Sequence, residues 1–94
     1  MIHTTTVALA PAEVLARAKR FFAERVPQAA AFPEKEGPAF VVLRGQGGEE
    51  VVVRAAAVPD RPGRSEVRAS TLLFDQAIGR FLSTLPIESP VVVA

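Results

Sequence analysis

Residues 39–71 read AFVVLRGQGGEEVVVRAAAVPDRPGRSEVRAST, and this stretch decides the fold. It holds three runs rich in Val, Ala and other strand-forming residues, separated by the turn segments Gly45–Gly48 and Pro59–Gly63. Runs of β-branched residues bounded by Gly, Pro and Asp are typical of strands joined by hairpin turns. The stretch therefore predicts three consecutive antiparallel strands, at residues 39–44, 49–58 and 64–71.

Counting back from the two turns predicts how these strands pair. Closing residues 45–48 as a four-residue loop places Val42 opposite Val51, and closing residues 59–63 places Ala55 opposite Val67. The face towards the helices then collects Phe40, Val42, Val51, Val53, Ala55, Ala57, Val67 and Ala69. The other face collects Val41, Leu43, Glu50, Val52, Arg54, Ala56, Glu66 and Arg68. A one-residue slip would move two arginines to the apolar face, which favours this register.

The sequence before this stretch predicts a strand, a helix and a second strand. Residues 2–9 are rich in Thr and Val, and residues 11 to about 25 place apolar side chains at helical spacing until Pro27 ends the pattern. We interpret residues 28–34 as a strand at the sheet edge, where proline is tolerated, followed by a turn at residues 36–38.

The sequence after it predicts a second helix and a tail. The helix runs to Leu85 with Asp75 as its N-cap, and Pro86 ends it. The order is β-α-β4-α, an α+β domain over residues 1–86 with one antiparallel sheet packed on one face by two helices. The tail, residues 87–94, is compatible with disorder or with an added strand. The side chains expected in the core are Phe22, Phe40, Val53, Ile78, Phe81 and Leu82.

Composition narrows the class of protein. Ninety-four residues suit one domain, and the absence of Cys excludes disulfides and thiolate zinc sites. A net charge of +1 does not indicate a nucleic-acid partner, and no apolar run is long enough to span a bilayer, so no membrane partner is expected. The start of the chain lacks the pattern of a signal peptide, which favours a cytoplasmic location. Abundant Arg and the lack of Asn favour a thermophilic source.

Two segments resemble a known fold family. Residues 4–7 run into a helix that starts near Ala10–Val14, and residues 66–68 lead to a helix that holds Gly79–Leu82. Together with the element order, these segments resemble the START-like helix-grip proteins and, more distantly, TATA-box-binding-protein domains. The resemblance implies an apolar ligand cavity between the last helix and the sheet. The chain is shorter than those proteins, and the small Ala55, Ala57 and Ala69 predict a small or absent cavity.

No catalytic, cofactor-binding or metal-binding residues emerge from the sequence. His3, the only histidine, has no evident partner and is interpreted as an incidental strand residue. Residues 45–48 lack the lysine of a phosphate-binding loop and are interpreted as a hairpin turn. No cofactor is therefore expected, and the sequence leaves open whether the protein is an enzyme.

The second sheet face is the candidate site. Its predicted interface residues are Val41, Leu43, Val52, Arg54 and Arg68. Arg54 and Arg68 face each other there, with Glu50 and Glu66 as the expected compensating charges. We expect a small interaction domain that associates with itself or with a protein partner through this face. The alternative is a small helix-grip protein that binds a small apolar ligand between the last helix and the sheet.

Overall fold

The computed structural model describes residues 1–24, 32–45 and 47–94. The elements are β1 (Ile2–Val7), α1 (Pro11–Glu24), β2 (Phe32–Gly37), β3 (Phe40–Arg44), β4 (Glu50–Ala57), β5 (Ser65–Thr71), α2 (Asp75–Ser83) and β6 (Val92–Val93). The strands form one antiparallel sheet in the order β2-β3-β4-β5-β1-β6. The predicted α+β class, with a single antiparallel sheet and two helices, is confirmed.

One hydrophobic core lies between the sheet and the helices. From the helices it takes chiefly Val14, Leu15, Ala18, Phe22, Ala77, Ile78, Phe81 and Leu82. From the strands it takes Val7, Val41, Leu43, Val51, Val53, Ala55, Val67 and Ala69. Of the six residues expected in the core, five are buried and Phe40 is only half-buried. The apolar spacing of both helices thus predicts their buried faces correctly.

The register between β4 and β5 agrees with the prediction, whereas the register between β3 and β4 is shifted by one residue. Ala55 lies opposite Val67 as expected, but Val42 lies opposite Val52 instead of Val51. The hairpin closes on a Gly45–Glu49 pair, in which the Gly45 amide donates to the Glu49 carbonyl at 2.8 Å. Arg44 therefore lies opposite Glu50 instead of Glu49, and every β3 side chain changes face.

This shift corrects two of the predicted interface residues. Val41 and Leu43 belong to the core, with 1% and 0% of their surface exposed. In the observed register Arg44 lies opposite Glu50, and its Nη2 donates to Glu50 Oε2 at 2.9 Å. Placing the arginine at this position directs the bulky Leu43 to the helices. The predicted placement of Val41 and Leu43 on the open side of the sheet is therefore wrong.

The remaining boundaries differ by a few residues. The predicted edge strand at residues 28–34 falls partly outside the described residues, and the observed β2 starts at Phe32 and continues through Gly37. The turn follows at residues 38–39. The ends of α1 at Arg25 and Pro27 also lie outside the described residues. None of the described helices is long and apolar enough to cross a membrane.

The tail takes the second of its two predicted outcomes and adds a strand. Val92 and Val93 pair with Thr4 and His3 of β1, and the Ile2 amide and the Ala94 carbonyl are bonded at 2.9 Å. The Ser89 hydroxyl also accepts the amide proton of Thr6. The tail therefore pairs with β1 along the edge of its own sheet. The outermost strand at this edge is the two-residue β6.

Candidate interaction face

The side of the sheet that points away from the helices carries rows of paired positions. One row runs across four strands through Val42, Val52, Ser70 and Ile2. The neighbouring row includes Arg54, Arg68, Thr4 and Val92. We call this side the open face. Three of the predicted interface residues, Val52, Arg54 and Arg68, lie on it.

Arg54 and Arg68 are directly opposite each other in neighbouring strands, and both are exposed. Neither forms an ion pair with another residue in the described part of the chain. The expected compensation does not form, since Glu50 pairs with Arg44 and Glu66 with no described cation. Like charges in direct opposition destabilise a sheet unless another group balances them. The two arginines therefore present unbalanced positive charge at the middle of the open face.

Apolar side chains lie next to this arginine pair. Val42 and Val52 are half-buried, and Ile2 is 36% exposed. A shallow depression of about 180 Å³ is lined by Ile2, Val52, Arg54, Arg68 and Ser70. The open face thus combines an aliphatic floor with the adjacent arginine pair, and mixed surfaces of this kind occur at contacts between macromolecules.

A cluster of charged side chains lies at the β2 edge of the sheet. The guanidinium of Arg44 donates to both carboxylate oxygens of Glu34, at 2.9 and 3.1 Å, and to Glu50. The hydrogen bonds from Arg44 lower the pKa of the Glu34 carboxyl. Strand β2 also has a register irregularity between Pro33 and Lys35. Charged side chains, proline and bulges make this an edge poorly suited to strand addition.

His3 has a partner that sequence reasoning missed. Its Nε2–H donates to Asp75 Oδ1 at 2.9 Å, and only 6% of the residue is exposed. This hydrogen bond is the main cause of a lowered pKa at Asp75. The pair joins β1 to the start of α2. A buried ring already engaged by a carboxylate tethers two elements and offers no accessible base to a substrate.

The prediction that Asp75 is the N-cap of α2 is wrong. Asp75 is the first residue of the helix, Phe74 precedes it, and no side chain caps the helix in the usual way. The Thr71 hydroxyl instead accepts the amide protons of Leu73 and Phe74, at 3.4 and 3.2 Å. This turn directs the chain from β5 into α2, which frees the Asp75 carboxylate to face His3.

A cleft of about 560 Å³ opens at one end of the sheet. The segment between β5 and α2 supplies Leu72 and Leu73, which are 90% and 73% exposed, and the β3–β4 hairpin supplies Gly47, Gly48 and Glu49. Nothing in the sequence pattern indicates this cleft, because it forms between segments that are more than twenty residues apart.

The described residues contain no group of His, Cys, Asp or Glu side chains able to hold a metal ion. Comparisons with protein-family models, with curated proteins and with solved structures give no match. The open face and the cleft are therefore interpreted from their own residues.

Proposed function

We propose that this chain is a small cytoplasmic interaction domain that self-associates through its open face. The observation that carries the proposal is the arrangement of charge on β5. Glu66 and Arg68 are two residues apart on the same strand, both are exposed, and neither forms an ion pair within the described residues. A surface that carries both signs in this way is complementary to a copy of itself.

A two-fold axis that lies parallel to the open face and perpendicular to the strands brings opposite charges of two copies together. Placed between the row of Arg54, Arg68 and Thr4 and the row of Ala56, Glu66 and Thr6, the axis exchanges the two rows. Arg68 then lies over Glu66 of the partner subunit, and the reverse pair forms at the same time. Two-fold interfaces repeat each contact in this manner. The charge of Arg68 is balanced between subunits instead of within one.

The dimensions of the open face suggest the strength of the dimer. Six strands about 4.8 Å apart and about 20 Å long present roughly 600 Å² from each subunit. A total of about 1,200 Å² is at the lower end of the range for specific interfaces. We therefore expect a dimer that dissociates on dilution.

The packing beside α2 favours this proposal over the ligand-binding alternative. Ile78, Phe81 and Leu82 point between α2 and the sheet and are at most 1% exposed. The Phe81 ring centroid lies 5.9 Å from that of Phe22 across the same space. These side chains occupy the place where a helix-grip ligand would lie.

Sedimentation equilibrium of the wild type and of Val52→Glu tests the proposal. The wild type should approach twice the chain mass of 10.0 kDa as its concentration rises. Val52→Glu places an unpaired charge on the aliphatic floor and should weaken association about a hundredfold. Leu72→Glu, which adds the same charge at a 90% exposed position away from the floor, is the matched control. A wild type that stays at 10.0 kDa at millimolar concentration would overturn the proposal.

A further inference from the structure

The charges around the cleft are unevenly matched. The residues that line the cleft include Leu72, Leu73, Arg44 and Glu49. The positively charged side chain of Arg44 already has hydrogen-bond partners. Arg44 donates to Glu34 and Glu50 and, through Nη1, to the Gly48 carbonyl at 3.0 Å. The amino group of Met1, which also borders the cleft, lies 3.4 Å from Asp75 Oδ1. Neither cation is available to Glu49.

One carboxylate oxygen of Glu49 has no hydrogen-bond donor among the described residues. Its Oε2 atom is buried and makes no hydrogen bond with the described residues. A buried acceptor left unpaired destabilises the folded protein, and more so when it is charged. Such groups are uncommon in folded proteins, and a bound ligand is one of the ways in which they are satisfied.

The hairpin glycine keeps this carboxylate in place. A Cβ atom at Gly47 would lie 2.5 and 2.7 Å from the two carboxylate oxygens of Glu49. Any larger residue at this position would therefore displace the carboxylate. The absence of a side chain at Gly47 lets the negative charge lie against the turn, at the border of the cleft.

Apolar surface completes the cleft. Leu72 and Leu73 are the most exposed large apolar side chains among the described residues, and Ile2 and Met1 border the same space. A volume of 560 Å³ is within the range of about 300–1,000 Å³ that small-molecule sites occupy. An aliphatic wall beside one unmatched carboxylate selects for a molecule with an apolar body and one positive charge.

We propose that the cleft binds a small aliphatic molecule that carries a primary ammonium group. The ammonium donates to Glu49, and the aliphatic part covers Leu72 and Leu73. A neutral aliphatic molecule of the same size lacks the positive charge that pairs with the Glu49 carboxylate, and a carboxylate would be repelled by it. This site is separate from the self-association proposed above, although Ile2 and Ser70 border both surfaces.

Nuclear magnetic resonance titration with three probes tests the inference. Hexylammonium, hexanol and hexanoate share an aliphatic chain and differ in charge. Hexylammonium should shift the amide signals of Gly48, Leu72 and Leu73 and should bind most tightly. Equal binding of hexanol would overturn the role of Glu49, and preference for hexanoate would assign recognition to Arg44 instead. No shift with any probe would overturn the site itself.

Three variants locate the recognised charge. Glu49→Gln should weaken hexylammonium binding about tenfold, because it replaces a charged acceptor by a neutral one, and should leave hexanol binding unchanged. Gly47→Ala should weaken it too, by displacing a carboxylate that is still present. Glu24→Gln removes an equal charge from the exposed end of α1, outside both the cleft and the open face, and should have no effect. Equal losses in Glu49→Gln and Glu24→Gln would show a general charge effect and overturn the inference.

Measuring the same titrations on Arg68→Glu separates this inference from the proposed function. That substitution lies on the open face and should weaken self-association without changing the cleft. Hexylammonium binding that persists in Arg68→Glu supports a site within one subunit. Binding that disappears together with the dimer would overturn it.

Discussion

Phe81 lies where the two helices meet over the sheet. Its ring centroid is 5.5 Å from that of Phe21 and 5.9 Å from that of Phe22, and its surface is fully buried. Removing the ring leaves a cavity that these neighbours cannot fill. Phe81→Ala should reduce the free energy of unfolding by about 3–5 kcal/mol in urea titrations. The exposed control Leu72→Ala should change it by less than about 0.5 kcal/mol. A loss below about 1 kcal/mol for Phe81→Ala would contradict the assigned core.

Asp75 makes the stability depend on pH in a defined direction. The hydrogen bond from His3 lowers the pKa of Asp75 in the folded protein below its ordinary value of 3.8. The contribution is complete above that value and is lost as the pH falls through the lower folded pKa. Asp75→Asn should therefore be less stable than the wild type at neutral pH, and urea titrations should show the gap closing in strong acid.

A carboxylate in an exposed turn provides the control for this pair. Asp60→Asn, which removes a carboxylate from the exposed turn after β4, is the variant against which Asp75→Asn is compared. A gap between Asp75→Asn and the wild type that persists unchanged to the lowest pH would contradict the His3–Asp75 contact. The sequence could not predict this contact, because the two residues are 72 positions apart and meet only through the placement of β1 beside β5.

The β3–β4 hairpin shows at the level of an element what sequence patterns can specify. In β5, apolar and charged residues alternate, so the register with β4 could be predicted. In β3, four consecutive apolar residues, Phe40 to Leu43, fit either face equally well. The choice then depends on the turn and on the Arg44–Glu50 pair, neither of which strand periodicity encodes.

Glycine substitutions test the turn directly. Gly48 has a φ of +87°, in the left-handed region, whereas Gly79 lies in α2 with open space around its Cβ position. Gly48→Ala should destabilise the protein by about 1–2 kcal/mol, because an L-residue is strained in that conformation. Gly79→Ala should stabilise it by about 0.5–1 kcal/mol, since alanine favours helix. Equal effects of the two substitutions in urea titrations would contradict the assigned turn.

For the whole molecule, the order of elements and the helix faces could be predicted, whereas the composition of the open face could be predicted only in part. Val52, Arg54 and Arg68 lie there as expected, but Val41 and Leu43 do not, because one loop residue reverses β3. Val42 takes their place beside Val52, and both are half-buried, whereas the charged side chains of Arg54, Glu66 and Arg68 are exposed. This makes the arrangement of charges, more than apolar area, the basis for association.

Charge reversal on β5 tests that arrangement. Arg68→Glu places two glutamates against each other across the two-fold axis, and Glu66→Arg places two arginines there. Each single variant should therefore associate more weakly than the wild type. The double variant restores an opposite pair at both contacts and should recover the association. Arg80→Glu, on the exposed side of α2, reverses an equal charge away from the open face and should associate like the wild type.

The most direct test of the central claim is the mass of the double variant Glu66→Arg/Arg68→Glu by sedimentation equilibrium, at a concentration where the wild type is dimeric. We expect it to approach twice 10.0 kDa, while each single variant stays near 10.0 kDa. A double variant as monomeric as the singles, or a dimer that none of the three variants affects, would contradict self-association through the open face.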